Sequence, residues 1–168
     1  LDGTGTGTLA AGFNTGVAVL SGPIAARSPL RLEVPSGATL ALSGNVDDTP
    51  FGVGLTKTGA GTLNLASAGG YSGATVVAGG ILLVNNGPDT ASGTGAGEVR
   101  VAGSGTLGGT GRVTGALVVL AGGRLSPGNA IGTLTVSNHV TLFADSAMRV
   151  DTALGTGAHD ELDLPPGV

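Results

Sequence analysis

The chain has 168 residues, of which 34 are glycine and 8 proline, with 40% hydrophobic and 11% charged residues and a formal net charge of −4. Glycine costs about 1 kcal/mol per interior helix position relative to alanine, which excludes a helical bundle. Few charges and many apolar residues exclude an expanded, self-repelling chain, leaving a folded protein of many short apolar segments and many turns.

Taken in chain order, the first fifty residues are the least regular. Gly3-Thr4-Gly5-Thr6-Gly7-Thr8 is low complexity, and Pro23, Pro29, Pro35 and Pro50 punctuate the stretch after it. Asp47-Asp48-Thr49-Pro50 reads as an exposed loop. Apolar residues alternate in short bursts along the chain: Leu40 and Leu42, Leu63 and Leu65, Val99 and Val101, Leu134 and Val136, then Val140 and Leu142. Period-two patterning predicts strands with one face buried. Ile81-Leu82-Leu83-Val84 and Leu117-Val118-Val119-Leu120 are continuous apolar runs, the pattern of strands covered on both faces.

Thr133 to Leu154 is the longest stretch without glycine or proline. Among its apolar residues, Leu134, Val136, Val140, Leu142, Met148 and Val150 are all even-numbered. That parity predicts strands rather than a helix, with breaks at Ser137-Asn138-His139 and Asp145-Ser146-Ala147. Between the bursts stand turn formers such as Gly69-Gly70, Gly79-Gly80, Asn85-Asn86-Gly87, Gly122-Gly123 and Pro127-Gly128-Asn129.

A short unit recurs: Gly37-Ala38-Thr39-Leu40, Ala60-Gly61-Thr62-Leu63, Gly79-Gly80-Ile81-Leu82, Ser104-Gly105-Thr106-Leu107, Gly122-Gly123-Arg124-Leu125 and Ile131-Gly132-Thr133-Leu134. A repeat of about 20 residues made only of strand and turn predicts a solenoid, whose coils bury their apolar rows only against one another. The expectation is an all-β parallel β-helix of about eight coils, without significant helix and near 40 Å long. Residues 1–53 are expected to form irregular coils and residues 54–168 regular ones. The densest apolar block, Leu107 to Val150, is the expected folding nucleus.

Three stretches carry a family resemblance. KTGAGTLNL (57–65), with GGYSGATVVAGGILLVNN (69–86), resembles the passenger-associated repeat of bacterial autotransporters. SPGNAIGTLTV (126–136) and GTGAHDELDL (155–164) are similar to segments near the C-terminal, autochaperone end of such passengers. The resemblance implies a right-handed β-helix that supports folding and secretion of an exported virulence factor or adhesin. It also implies two partners outside this chain, a C-terminal outer-membrane β-barrel translocator and upstream passenger coils. The localisation implied is the surface or surroundings of a Gram-negative bacterium. Leu1-Asp2-Gly3 reads as a cut end, so the chain is expected to be a piece of a longer protein.

The search for chemistry yields no nominated catalytic, cofactor-binding or metal-binding residue. Gly103-Ser104-Gly105-Thr106-Leu107-Gly108 satisfies G-x-G-x-x-G, but Gly109-Thr110-Gly111 cannot open the helix that a dinucleotide site needs. A Ser-His-Asp triad written from His139 and Asp145 lacks a nucleophile motif, so His139 reads as a solvated turn residue. His159-Asp160-Glu161-Leu162 is not C-terminal and is no retention signal. Asp160, Glu161 and Asp163 offer oxygen ligands of the kind calcium takes, but the GGxGxD nonapeptide is absent. Solvated loop charge is expected there and at Asp47-Asp48. Outside the tail, Asp2, Glu33, Asp47, Asp48, Asp89, Glu98, Asp145 and Asp151 do not recur at coil spacing, as paired carboxylates of a β-helical hydrolase would.

The seven basic residues are scattered, so nucleic acid is not an expected partner. With no cysteine there is no disulfide scaffold and no thiolate metal site. No apolar run reaches the roughly 20 residues of a membrane helix, and no signal segment opens the sequence. Aromatic residues are 2%, too few for carbohydrate platforms or the girdles of a membrane barrel. The expected function is a non-enzymatic stalk and folding module without cofactor. The alternative is an adhesin-type module presenting loops to a host or bacterial partner. Cut solenoid ends predict end-to-end self-association.

Overall fold

The computed structural model describes residues 6–10, 15–87, 90–128, 131–152 and 158–164. Described residues form strands and turns only, wound as successive rungs of three short faces. The first rung comprises β1 (Gly7–Ala10), β2 (Gly16–Leu20) and β3 (Ile24–Ala25), and the second β4 (Leu30–Glu33), β5 (Ala38–Leu42) and β6 (Val46–Asp47). The third comprises β7 (Leu55–Thr58), β8 (Thr62–Leu65) and β9 (Gly69–Gly70). In the fourth, β10 (Thr75–Val84) bends through two faces, as does β11 (Val99–Gly109) in the fifth, where β12 (Arg112–Val113) completes the turn. The sixth holds β13 (Leu117–Val119), β14 (Arg124–Pro127) and β15 (Thr133–Val136), and the last β16 (Val140–Leu142), β17 (Ala147–Met148) and β18 (Glu161–Asp163).

Strands of the first two faces pair in parallel with their counterparts in the next rung; the first face runs β1-β4-β7-β10-β11-β13-β16. The second runs from β2 through β5, β8, β10, β11 and β14 to β17. On the third face, β9 and β12 are bridged by residues 92–94: Gly69 N donates to Ser92 O at 2.8 Å and Gly93 N to Arg112 O at 2.9 Å. The parallel β-solenoid expected from the repeat is therefore present, with about six turns rather than eight. The overcount came from taking 20 residues per coil. Equivalent positions such as Leu9, Leu32 and Lys57, or Val101, Val119 and Leu142, are separated by 18 to 25 residues. Seven rungs at about 4.8 Å give a rod near 30 Å long, shorter than expected.

The core is a set of columns. Ala18, Leu40, Leu63, Leu82, Leu107, Leu125 and Met148 stack in register along the second face. Leu63, Leu82, Leu107 and Leu125 are wholly buried. Each rung hides its leucine only against the leucines before and after it, so the stability is a nearest-neighbour quantity. The even parity read from Thr133 onward places Leu134 and Val136 inside, but Leu142, Met148 and Val150 are 47%, 41% and 49% exposed. They occupy the last rung, where no further rung covers them among the described residues.

The two continuous apolar runs are not covered on both sides. Ile81 is 40% exposed and Leu83 and Val118 are half-buried, alternating with the sealed Leu82, Val84, Leu117 and Val119. Glycine shapes the corner between the first two faces. Gly80 has φ +66°, and a Cβ there would lie 2.4 Å from Gly61 O, so neither the backbone angle nor the space admits a side chain.

Candidate functional site

A set of buried side-chain hydrogen bonds lies in and around the turn from β7 to β10. Leu55 and Lys57 share inward parity, and Lys57 stands in a column between Leu32 and Val77, wholly buried. Its Nζ donates to Thr58 O at 2.9 Å, Gly59 O at 2.8 Å and Gly79 O at 3.1 Å, three acceptors for the three ammonium protons. Burial lowers its pKa to about 8. Across the interior, the Tyr71 and Thr75 hydroxyls are hydrogen-bonded at 2.7 Å, and Thr75 Oγ1 donates to Thr94 O at 3.1 Å. Burial pushes the Tyr71 phenol up.

Outside, Asn85 Nδ2 donates to Asn64 Oδ1 at 3.0 Å, and Thr110 N donates to Asn85 Oδ1 at 3.1 Å, forming a ladder over three rungs. Asn86 is buried, and its Oδ1 accepts from Arg112 N at 2.9 Å. These bonds run between rungs, the direction in which a solenoid needs cohesion.

That turn is where a known family registers. Residues 55–84 match the family model described as the passenger-associated-transport-repeat. They carry an autotransporter passenger repeat. Neither a search of curated proteins nor one of solved structures finds a match for the chain. The passenger repeat covers KTGAGTLNL and GGYSGATVVAGGILLV. The motifs at 126–136 and 155–164 lie beyond the match, and residues 129, 130 and 155–157 lie outside the described ones. In structural terms the repeat is β7, β8, β9 and β10, the third rung and the first two faces of the fourth.

Two acids expected to be solvated are buried clamps. Asp48 is 4% exposed, and its Oδ2 accepts from Val53 N at 2.6 Å, Ser72 N at 2.8 Å and Ser72 Oγ at 2.9 Å. Desolvation raises its pKa, but the bonds from Ser72 and Val53 outweigh this and hold it below the ordinary carboxylate value. Asp48 thereby ties the loop after β6 to the passenger repeat. Asp47 is exposed as expected and accepts from the amide and hydroxyl of Thr49, which lower its pKa.

Asp160, 3% exposed, accepts from Gly132 N at 3.1 Å through Oδ1 and from Asp151 N at 2.9 Å through Oδ2. A Cβ on Gly128 would lie 2.1 Å from that Oδ1, so the glycine of SPGN leaves room for the carboxylate. Its neighbours Glu161 and Asp163 are exposed.

The remaining candidates do not converge. The His139 ring is hydrogen-bonded to Asn138 Oδ1 at 2.8 Å, in an exposed turn. Asp145 sits in the turn before β17 at φ +62°, its carbonyl accepting from Gly122 N at 2.9 Å. His159 lies in an antiparallel bridge with Thr152. The G-x-G-x-x-G stretch lies within β11, and strand β12 comes after it. Among the described residues no group of three metal-ligating side chains forms.

A groove of about 360 Å³ crosses the outside of the second face over the last four rungs. Ile81, Leu83, Thr106, Arg124, Ser126 and Arg149 line it, and Gly108, between Leu83 and Ser126 in one outward row, leaves the dent. Arg149 pairs with Asp151 at 2.8 Å, whereas Arg124 has no ion pair among the described residues.

Sequence reasoning missed Lys57, Asp48 and Asp160. For Lys57 the signal was available: it has the parity of Leu55 in a strand whose odd residues point inward. For the two acids it was not, since each is also held by a residue of the neighbouring rung, Ser72 and Gly132, 24 and 28 residues away.

Proposed function

We propose that this chain is a non-catalytic stalk and folding segment of an exported autotransporter passenger. Its partners in that role are the passenger's own C-terminal β-barrel translocator and the coils upstream, and its place is the surface or surroundings of a Gram-negative bacterium. Residues 1–53 are read as irregular entry coils and residues 54–168 as the regular stack. The observation that carries the proposal is the unbroken column Ala18-Leu40-Leu63-Leu82-Leu107-Leu125-Met148, into which the passenger repeat at 55–84 is set. Parallel pairing between residues about 20 apart folds slowly, and a preformed block shortens the search by offering a template edge.

The test is refolding of a longer passenger with and without this segment. Removal is expected to cut the yield or rate of refolding severalfold. Equal refolding of the two would remove the folding role.

A second reading, a binding module, is supported by the groove and by Arg124, which has no ion pair among the described residues. A binding screen with the 168-residue chain and its Arg124→Ala variant tests it. A ligand lost on substitution would favour this reading over a plain stalk.

A further inference from the structure

Lys57 is an anomaly in a column otherwise built of Leu32, Val77, Val101 and Val119. Among the described residues it has no carboxylate partner, only three carbonyls. The reason lies in the length of the corner. From the inward residue of the first face to the first outward residue of the second, the third rung takes five residues, Lys57 to Thr62. The fifth takes five, Val101 to Thr106, and the sixth five, Val119 to Arg124. The fourth takes only four, Val77 to Ile81, although Val77 is in register with Lys57 and Val101, and Ile81 with Thr62 and Thr106. The pairing of β10 with β11 shows the same discrepancy as a register shift between Val77 and Gly79.

A corner one residue short cannot match carbonyls to amides one for one against its longer neighbours. The Lys57 ammonium sits at this place, bonded to Thr58 O and Gly59 O of the longer corner and Gly79 O of the shorter one. We propose that Lys57 is a register key: its ammonium stands in for the one amide that the missing residue of the fourth-rung corner would have supplied, ties Thr58 O and Gly59 O of the longer corner to Gly79 O of the shorter one, and so fixes the fourth rung on the third. A buried polar group that selects one register over its neighbours is a recognised use of such residues. Here the slip it opposes is by one residue, which would turn Leu82 and Val84 outward.

The key and the short corner are two halves of one device, and a double-mutant cycle separates this from ordinary loss of packing. The variants are Lys57→Met, an insertion of one glycine between Gly79 and Gly80, and both together, in the 168-residue chain. Lys57→Met removes the ammonium's bonds to three carbonyls, of which Thr58 O keeps its bond from Val34 N at 3.0 Å, and is expected to lower Tm by about 5–10 °C. It should also speed exchange of the Ile81 amide, which donates to Gly61 O at 3.1 Å, but not of the remote Val99 amide. The insertion alone is expected to lower Tm too, by displacing Gly79 O from Nζ. Combined, they should restore at least half of the Tm lost in Lys57→Met, because the corner then matches the rungs on both sides. If Lys57→Met alone fails to fold, recovery of folding in the double variant supports the proposal. Losses that merely add, a double variant that stays unfolded, or unchanged Tm and Ile81 exchange in Lys57→Met would each overturn it.

Discussion

Between Val77 and Val136 the inward side chains are sealed: Val77, Leu82, Val101, Leu107, Val119, Leu125 and Leu134 have no accessible surface. From Val140 to Val150 the same residue types keep the same alternation, yet Leu142, Met148 and Val150 are about half exposed. The two regions differ in what lies on either side, not in composition. A central rung has a neighbour above and below, and the last rung has one among the described residues. In a solenoid, then, burial belongs to the stack rather than to the strand, and residues alike in sequence differ widely in their contribution to stability.

The comparison is broken most severely by charge. Leu134→Asp places a carboxylate in a sealed position and is expected to cost about 4 kcal/mol or more, enough to abolish a cooperative thermal transition. Leu142→Asp is expected to lower Tm by no more than a few degrees. If thermal melts show the two variants equally stable, the distinction between sealed and open rungs fails.

Truncation sharpens it. Leu107→Ala is expected to cost about 2–5 kcal/mol by urea denaturation, whereas Leu142→Ala should cost well under half of that. Next comes the corner: Gly80→Ala would put a methyl against Gly61 O at an unfavourable φ, and about 2 kcal/mol of destabilisation is expected.

The strands, their parity and the parallel winding were legible in the sequence, because a period-two pattern and a recurring Gly-Thr-Leu unit are local signals. The number of turns was not, since coil length varies with corners and loops whose register is set by pairing between rungs. Nor was the burial of the last block, because an even-numbered Leu142 looks the same as an even-numbered Leu134 until the neighbouring rung is counted. Polar positions were least legible. Asp48 and Asp160 look like loop charge, and only the amides brought to them from adjacent rungs make them structural.

Acid provides a finer probe. Because the folded-state pKa of Asp48 lies below its ordinary value of 3.8, its stabilising effect is complete well above that value and is lost as pH falls through the folded pKa. Asp48→Asn is therefore expected to be less stable than the parent at pH 7, with the gap closing below about pH 4 in pH-dependent melts. A gap independent of pH would mean that the carboxylate charge contributes nothing at this clamp. The smallest effect is expected at the Arg31–Glu33 pair, 3.3 Å apart with both side chains 48% exposed. Arg31→Ala should change stability by less than about 0.5 kcal/mol.

The winding itself is tested most directly by a distance. Thr39, Thr62, Ile81, Thr106 and Arg124 form one outward row through five consecutive rungs. Spin labels at Thr39 and Arg124, measured by pulsed electron–electron resonance, are expected to give one narrow distance near 19 Å, four steps of about 4.8 Å. A broad distribution, or a separation beyond about 35 Å, would contradict a parallel stack in this register.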